Sequence, residues 1–192
     1  MDEWGRTMKK RPDIVAATRQ ALIDAFWTLY AQKRIEKITI KELTQLAHYN
    51  RSTFYEHFTD IYDLLEQEER EIISQLEDKI DLKMQAGNME ELLGQITQFY
   101  STNAHRLTLL LHADGGTAFL RRLEKVLYPR FRSLVPPAGR ECAPIVYAFG
   151  MNGMLMALHA WHRNCPGLSA ETFVQLLRSL VEKGVVQTVW PA

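Results

Sequence analysis

The 192-residue sequence predicts an all-α protein of about nine helices, with a three-helix head near residues 10–58 and a larger helical body after it. Apolar residues recur at spacings of three and four along most of the chain. Its breaks are short Gly- and Pro-rich clusters, namely Asp114-Gly115-Gly116, Pro136-Pro137-Ala138-Gly139 and Cys165-Pro166-Gly167. No convincing β-run separates the periodic segments.

The first predicted helix covers Pro12–Lys33, where Ile14, Ala17, Ala21, Leu22, Ala25, Phe26, Leu29 and Tyr30 form the apolar stripe and Pro12 suits a first turn. Thr39 is a good N-cap for a short helix Ile40–Ala47, and Asn50 is a strong N-cap for a second, Arg51–Phe58. Asp60 then caps a linker helix over 60–84, with Leu64, Leu65, Ile72, Ile73, Leu76 and Ile80 inward, and Gly87-Asn88 ends it. Beyond it the pattern predicts Glu90–Asn103, Arg106–His112, Gly116–Leu134, Glu141–Arg163 and Ser169–Trp190. The domain reading is therefore 1–58 for the head, 60–84 for the linker helix, and 85–192 for the body.

Composition is that of an ordinary soluble globular protein, 46% hydrophobic and 24% charged. Lys and Arg equal Asp and Glu at 23 each, yet the zero is a sum of unlike parts: +3 over residues 1–57, −6 over 58–84 and +3 over 85–192. A basic head followed by an acidic helix suits a chain that meets a polyanion at one end only. Two cysteines, Cys142 and Cys165, are too few for a disulfide scaffold, and the start Met1-Asp2-Glu3-Trp4 has no apolar secretory segment. A cytoplasmic protein with reduced thiols is expected. Cys142–His162 has no Asp, Glu, Lys or Arg over 21 residues, but Pro144, Gly150, Asn152, Gly153, His159 and His162 argue against a membrane span. A helix buried on nearly all sides, in the core or against a partner subunit, is expected there.

Two short helices joined by a tight turn, the second opening on a polar cap and presenting Arg51, Ser52 and Thr53, form a helix-turn-helix pattern for a DNA major groove. Any small three-helix bundle gives the same periodicity. The stretch Ile38-Thr39-Ile40-Lys41-Glu42-Leu43-Thr44-Gln45-Leu46-Ala47-His48-Tyr49-Asn50-Arg51-Ser52-Thr53-Phe54-Tyr55-Glu56-His57-Phe58, followed by Leu64-Leu65, is more specific. It resembles the N-terminal signature of the tetracycline-repressor (TetR) family of bacterial transcription regulators: "T-I", then "L-A", then "S/T-x-T-F-Y-x-H-F", then "L-L".

The resemblance covers about 50 residues of this chain and implies a repressor that binds a palindromic double-stranded DNA operator as a homodimer, with a body that takes a small effector and dimerises through its last two long helices. From the residues themselves, no enzyme activity, no cofactor, no metal and no membrane partner are expected. Carried onto this chain, Thr39 and Lys41 would contact phosphate; Arg51, Ser52 and Thr53, opened by Asn50, would face bases; Tyr55 and His57 would contact phosphates; and Lys9, Lys10 and Arg11 would form an arm along the backbone. Three positions depart from the signature. His48 stands at the usual turn glycine and implies a left-handed residue under slight strain, Tyr49 replaces a small aliphatic residue, and Ile61 replaces a common lysine, removing one phosphate contact.

For an effector pocket the body offers Phe99, Tyr100, His105, Phe119, Tyr128, Phe131, Tyr147, Met151, Met154 and Trp161, although aromatic and Met residues at helical spacing also make plain core. For a dimer interface it offers Gly150, Gly153 and Ala157 on one side of a helix, with Leu176 and Leu180 of the last one. His159 and His162 share a face, but no Cys or carboxylate cluster accompanies them, so structural or ligand-facing roles are expected rather than a metal. Nucleophile-elbow and glycine-rich phosphate-loop motifs are absent from the sequence. The alternative reading is an all-α dimeric adaptor or protein-interaction module that does not bind DNA.

Overall fold

A computed structural model describes residues 12–84, 89–112 and 117–186. Among the described residues the α-helices are α1 (Pro12–Tyr30), α2 (Ile40–Leu46), α3 (Arg51–Tyr55), α4 (Ile61–Met84), α5 (Met89–His112), α6 (Thr117–Leu134), α7 (Ala143–Asn164) and α8 (Ala170–Leu180), and there is no strand. The chain divides into two compact units between Glu68 and Glu69, inside α4.

In the N-terminal unit α1 packs on α2, and α2 on α3. Leu22, Phe26, Leu43, Phe54, Phe58 and Leu64 supply a core in which each is at most 2% exposed. Truncating one of its phenylalanines to alanine costs about 3–5 kcal/mol in such a setting. α1 stops at Tyr30, short of the expected Lys33, because the amides of Gln32 and Lys33 both converge on the Leu29 carbonyl at 3.0 and 3.1 Å and end the regular ladder. α4 opens on a reciprocal cap: Asp60 Oδ1 accepts from the Asp63 amide, and Asp63 Oδ2 accepts from the Thr59 amide, both at 2.8 Å.

In the C-terminal unit α5 packs on α6, α7 and α8, and α6 packs on α7. The break expected between Asn103 and Arg106 does not occur. Ser101, Thr102 and Asn103 bond back to the carbonyls of Thr97, Gln98 and Phe99 at 3.0–3.1 Å, so this polar run is satisfied within the helix. Buried Tyr100, Ala104, Leu107 and Leu111 carry the apolar stripe straight through it. The last predicted helix, Ser169–Trp190, is instead α8, with Ser169 Oγ capping the Thr172 amide at 3.2 Å, followed by a π-helical stretch Val181–Val186. Gly87-Asn88, Asp114-Gly115-Gly116 and Trp190 lie outside the described residues.

α7 meets only part of its expected cover within this chain. It is buried along one side only, through Ala143, Val146, Tyr147, Leu155 and Leu158, while Ile145 and Phe149 are 74% and 73% exposed and Met156 is 51% exposed. The unit's own helices cover one face of α7, and its sequence is apolar on more than one. It is also the one helix among the described residues long and apolar enough to cross a membrane, by length and composition.

Candidate functional site

The helix-turn-helix is held by local bonds that its residue types dictate. Thr39 has extended backbone, and its hydroxyl oxygen accepts from the Glu42 amide at 3.2 Å, capping α2. At the other end the Tyr49 amide bonds to the Thr44 carbonyl at 2.9 Å and the His48 amide to the Gln45 carbonyl at 3.3 Å. This is the Schellman pattern, which places one residue in the left-handed region. That residue is His48, with φ 61°, as expected for the glycine position.

Asn50 occupies the N-cap position of α3 with extended backbone, but its side chain makes no capping hydrogen bond, contrary to the sequence expectation. The first turn is closed by backbone alone, the Phe54 amide reaching the Asn50 carbonyl at 3.3 Å. α3 ends at Tyr55 rather than Phe58, because the His57 and Phe58 amides both turn to the Phe54 carbonyl, at 3.0 and 2.9 Å.

Phe54 and Phe58, at 0% and 2% exposure, anchor this segment. Their burial turns the intervening positions outward: Arg51, Ser52 and Tyr55 are exposed, and Thr53 and His57 are half-buried. Thr39, Lys41 and Asn50 are exposed as well. Arg19 of α1 lies over the Phe58 ring at 5.4 Å. Lys9, Lys10 and Arg11 lie outside the described residues. Ile61 is buried at 7% exposure and adds to the head's core.

One residue with a part in holding this platform escaped the sequence reading. Glu68 is 2% exposed and accepts a hydrogen bond from the Trp27 indole nitrogen at 3.1 Å, with Arg19 Nη2 at 3.9 Å. The signal was present, since Ile61, Leu64, Glu68 and Ile72 fall at helical spacing and put a carboxylate on the apolar face.

In the body, an apolar cavity of about 40 Å³ lies among α4, α5, α6 and α7, and Phe99, Tyr100, Phe119, Met151 and Met154 of the predicted set line it. Tyr128, Phe131 and Tyr147 form an aromatic cluster instead, with ring centroids 5.2 and 5.5 Å from Tyr147. His105 is exposed on α5. Trp161 stacks on Phe173 at 4.6 Å and donates to the Leu168 carbonyl at 2.9 Å, which ties the end of α7 to α8 and takes it away from the cavity. The Tyr100 hydroxyl lies 3.4 Å from His159 Nδ1, and burial raises its pKa against a lowering hydrogen bond with Thr108. Burial also pushes the Tyr147 phenol up, with Glu124 adding to the shift, and its hydroxyl is buried with no hydrogen-bond partner among the described residues.

No family model matches the chain, and no curated protein matches it. Solved structures do. A TetR transcriptional regulator from Streptococcus agalactiae 2603V is 21% identical, with TM-score 0.61 over 88% of this chain and 96% of that one. The fatty acid degradation regulator FadR from Bacillus halodurans is 16% identical, with TM-score 0.65 over 92% and 97%. NalD, the secondary repressor of the MexAB-OprM multidrug efflux pump in Pseudomonas aeruginosa, is 15% identical, with TM-score 0.66 over 93% and 100%. The chain has the TetR fold.

In this TetR fold four of the five residues expected at a subunit interface line one groove, and Leu176 does not. Gly150, Gly153, Ala157 and Leu180 line a shallow open groove between α7 and α8, with Phe149 beside them. Leu176 and Leu180 are 50% and 58% exposed. A side chain at Gly153 would meet nothing within 4 Å. Cys142 and Cys165, at the two ends of α7, are both free thiols and exposed.

Proposed function

We propose that this chain is a cytoplasmic, effector-responsive transcription regulator, a repressor that binds a palindromic DNA operator as a homodimer. The observation that carries this reading is the α3 platform: buried Phe54 and Phe58 hold Arg51, Ser52 and Tyr55 outward beside exposed Thr39 and Lys41. Arg51 reads a guanine edge, with Ser52 and Thr53 alongside. Thr39, Lys41, Tyr55 and His57 position the head through phosphates. The Thr39 oxygen accepts its capping bond, which leaves the hydroxyl proton available to a phosphate oxygen.

The exposed apolar face of α7 and α8 supports the homodimer. A soluble protein gains by covering such a patch, and a second copy presents the same patch in return. Two heads then address half-sites about one helical turn, or a multiple of it, apart. An effector in the body cavity shifts the population of dimers whose heads match that spacing.

The experiment is salt-dependent binding of the full chain to the DNA upstream of its own gene, against a scrambled duplex. The reading expects sequence preference together with a steep fall of affinity with salt, from phosphate contacts. Absence of preference at every salt concentration overturns it in favour of a protein-binding adaptor.

A further inference from the structure

The proposed effector role leaves the chemistry of the effector open, and the cavity restricts it. Among the described residues its walls carry no Asp, Glu, Lys, Arg or His, and Tyr100, whose hydroxyl lies 3.4 Å from His159 Nδ1, is the one polar side chain that lines it. A charged ligand would lose its hydration there with no opposite charge to replace it. Along α4 the lining runs from Ile72 to Ile80, eight residues or about 12 Å at 1.5 Å each, which suits an extended body. Met151 and Met154 form part of the wall, and unbranched thioether side chains repack readily to widen a cavity that is small when empty.

A second observation adds a polar feature. Tyr147 is not itself a lining residue, but it precedes the wall residue Met151 by one turn on the buried side of α7, and its ring partner Tyr128 directly follows Leu127 of the wall. The Tyr147 hydroxyl is buried without a partner among the described residues. Such a group is costly to leave unmade. A ligand oxygen that accepts from it removes the deficit. A carboxylate does so poorly, because Glu124 already disfavours negative charge at this phenol.

Resting on the effector reading of the body, we propose that the ligand is an uncharged molecule with an extended apolar body and one hydrogen-bond-accepting group, such as a hydroxyl, ester or ketone oxygen, taken by Tyr147. The probes are 1-octanol, octane, octanoate and octylammonium, which share one body, titrated calorimetrically into the full chain at pH 7. Octanol binds. Octane binds about tenfold more weakly, the equivalent of one lost hydrogen bond, and the two ions more weakly still.

In Tyr147→Phe the gap between octanol and octane closes to about twofold while octane binding persists, because only the hydrogen bond has gone. A gap that stays tenfold overturns the role of Tyr147. Should that variant not fold, the four probes on the parent chain decide: an ion binding as tightly as octanol, or no probe binding, overturns the proposal. Operator affinity is read separately. Octanol bound without change in operator affinity upholds the ligand class and overturns the effector role, whereas sequence-specific DNA binding by a chain that takes no probe overturns the ligand class and leaves the regulator.

Discussion

Glu68 and Glu69 are consecutive residues of α4, 2% and 4% exposed, and each is tied into a different unit. Glu68 accepts from the Trp27 indole nitrogen at 3.1 Å within the head, and Glu69 pairs with Arg122 at 2.7 Å within the body. Each partner offsets the cost of burying a carboxylate, so each pair fixes α4 against its own unit.

Trp27→Phe removes the donor together with three ring atoms, so a cavity cost adds to the lost hydrogen bond. From the bond the head should lose about 1.5–3 kcal/mol, the range for a hydrogen bond to a charged group. Urea denaturation followed by circular dichroism measures it. In the Glu68→Gln background the Trp27 change should cost less, and equal costs in both backgrounds would mean that this bond carries little.

His48 holds φ 61° at the turn between α2 and α3. Glycine relieves the steric cost of a left-handed residue but adds freedom to the unfolded chain, so His48→Gly should change stability by no more than about 1 kcal/mol, on the stabilising side. His48→Val, with a branched Cβ, should instead destabilise clearly. Thermal unfolding of the pair gives the order, and valine matching glycine would contradict the turn geometry.

Arg51 and Tyr55 are both exposed on α3 but should fail differently. Arg51→Ala should relax preference at one base pair by about 1–3 kcal/mol. Tyr55→Phe should weaken binding to all sequences alike. Fluorescence anisotropy on the operator and on single-base variants separates the two, and unchanged binding in both moves the reading surface off α3.

A charge at Gly153 tests the subunit face. Nothing lies within 4 Å of the added Cβ, so Gly153→Glu should leave the monomer folded while burying an unpaired charge in any α7 interface. Sedimentation velocity should show monomers, and an unaltered dimer would place the interface elsewhere.

Tyr100 and Tyr147 both have raised pKa values, chiefly from burial. The unfolded chain ionises its phenols near pH 10 while the folded one keeps these protons, so the folded state binds more protons above that pH. Stability from these groups is fully present below about pH 10 and falls above it, by up to about 1.4 kcal/mol per pH unit for each phenol. In Tyr147→Phe the slope between pH 10 and 11.5 should be shallower by one phenol, and an identical slope would show that the ring titrates freely.

How far the sequence could be read depended on how local the cause was. The turn at His48, the caps at Thr39 and Asp60, and the outward positions of Arg51, Ser52 and Tyr55 follow from bonds spanning at most five residues and from the alternation of Phe54 and Phe58 with polar neighbours. α5 was misread because Ser101-Thr102-Asn103 looks like a break until each side chain is seen bonding one turn back. Asn50 was misread in the opposite sense, since a good capping residue need not make the cap when the backbone closes the turn alone.

By itself, then, the sequence determined the all-α class, the helix-turn-helix and its presenting side chains, since periodicity and capping are properties of neighbours along the chain. Tertiary structure decided which apolar residues meet across helices. It took Trp161 away from the cavity and onto Phe173, left the Tyr147 hydroxyl buried without a partner among the described residues, set Glu68 against Trp27, and left Ile145 and Phe149 of α7 uncovered by the chain's own helices. Hydrophobicity records that a side chain gains by leaving water, but not which surface will cover it.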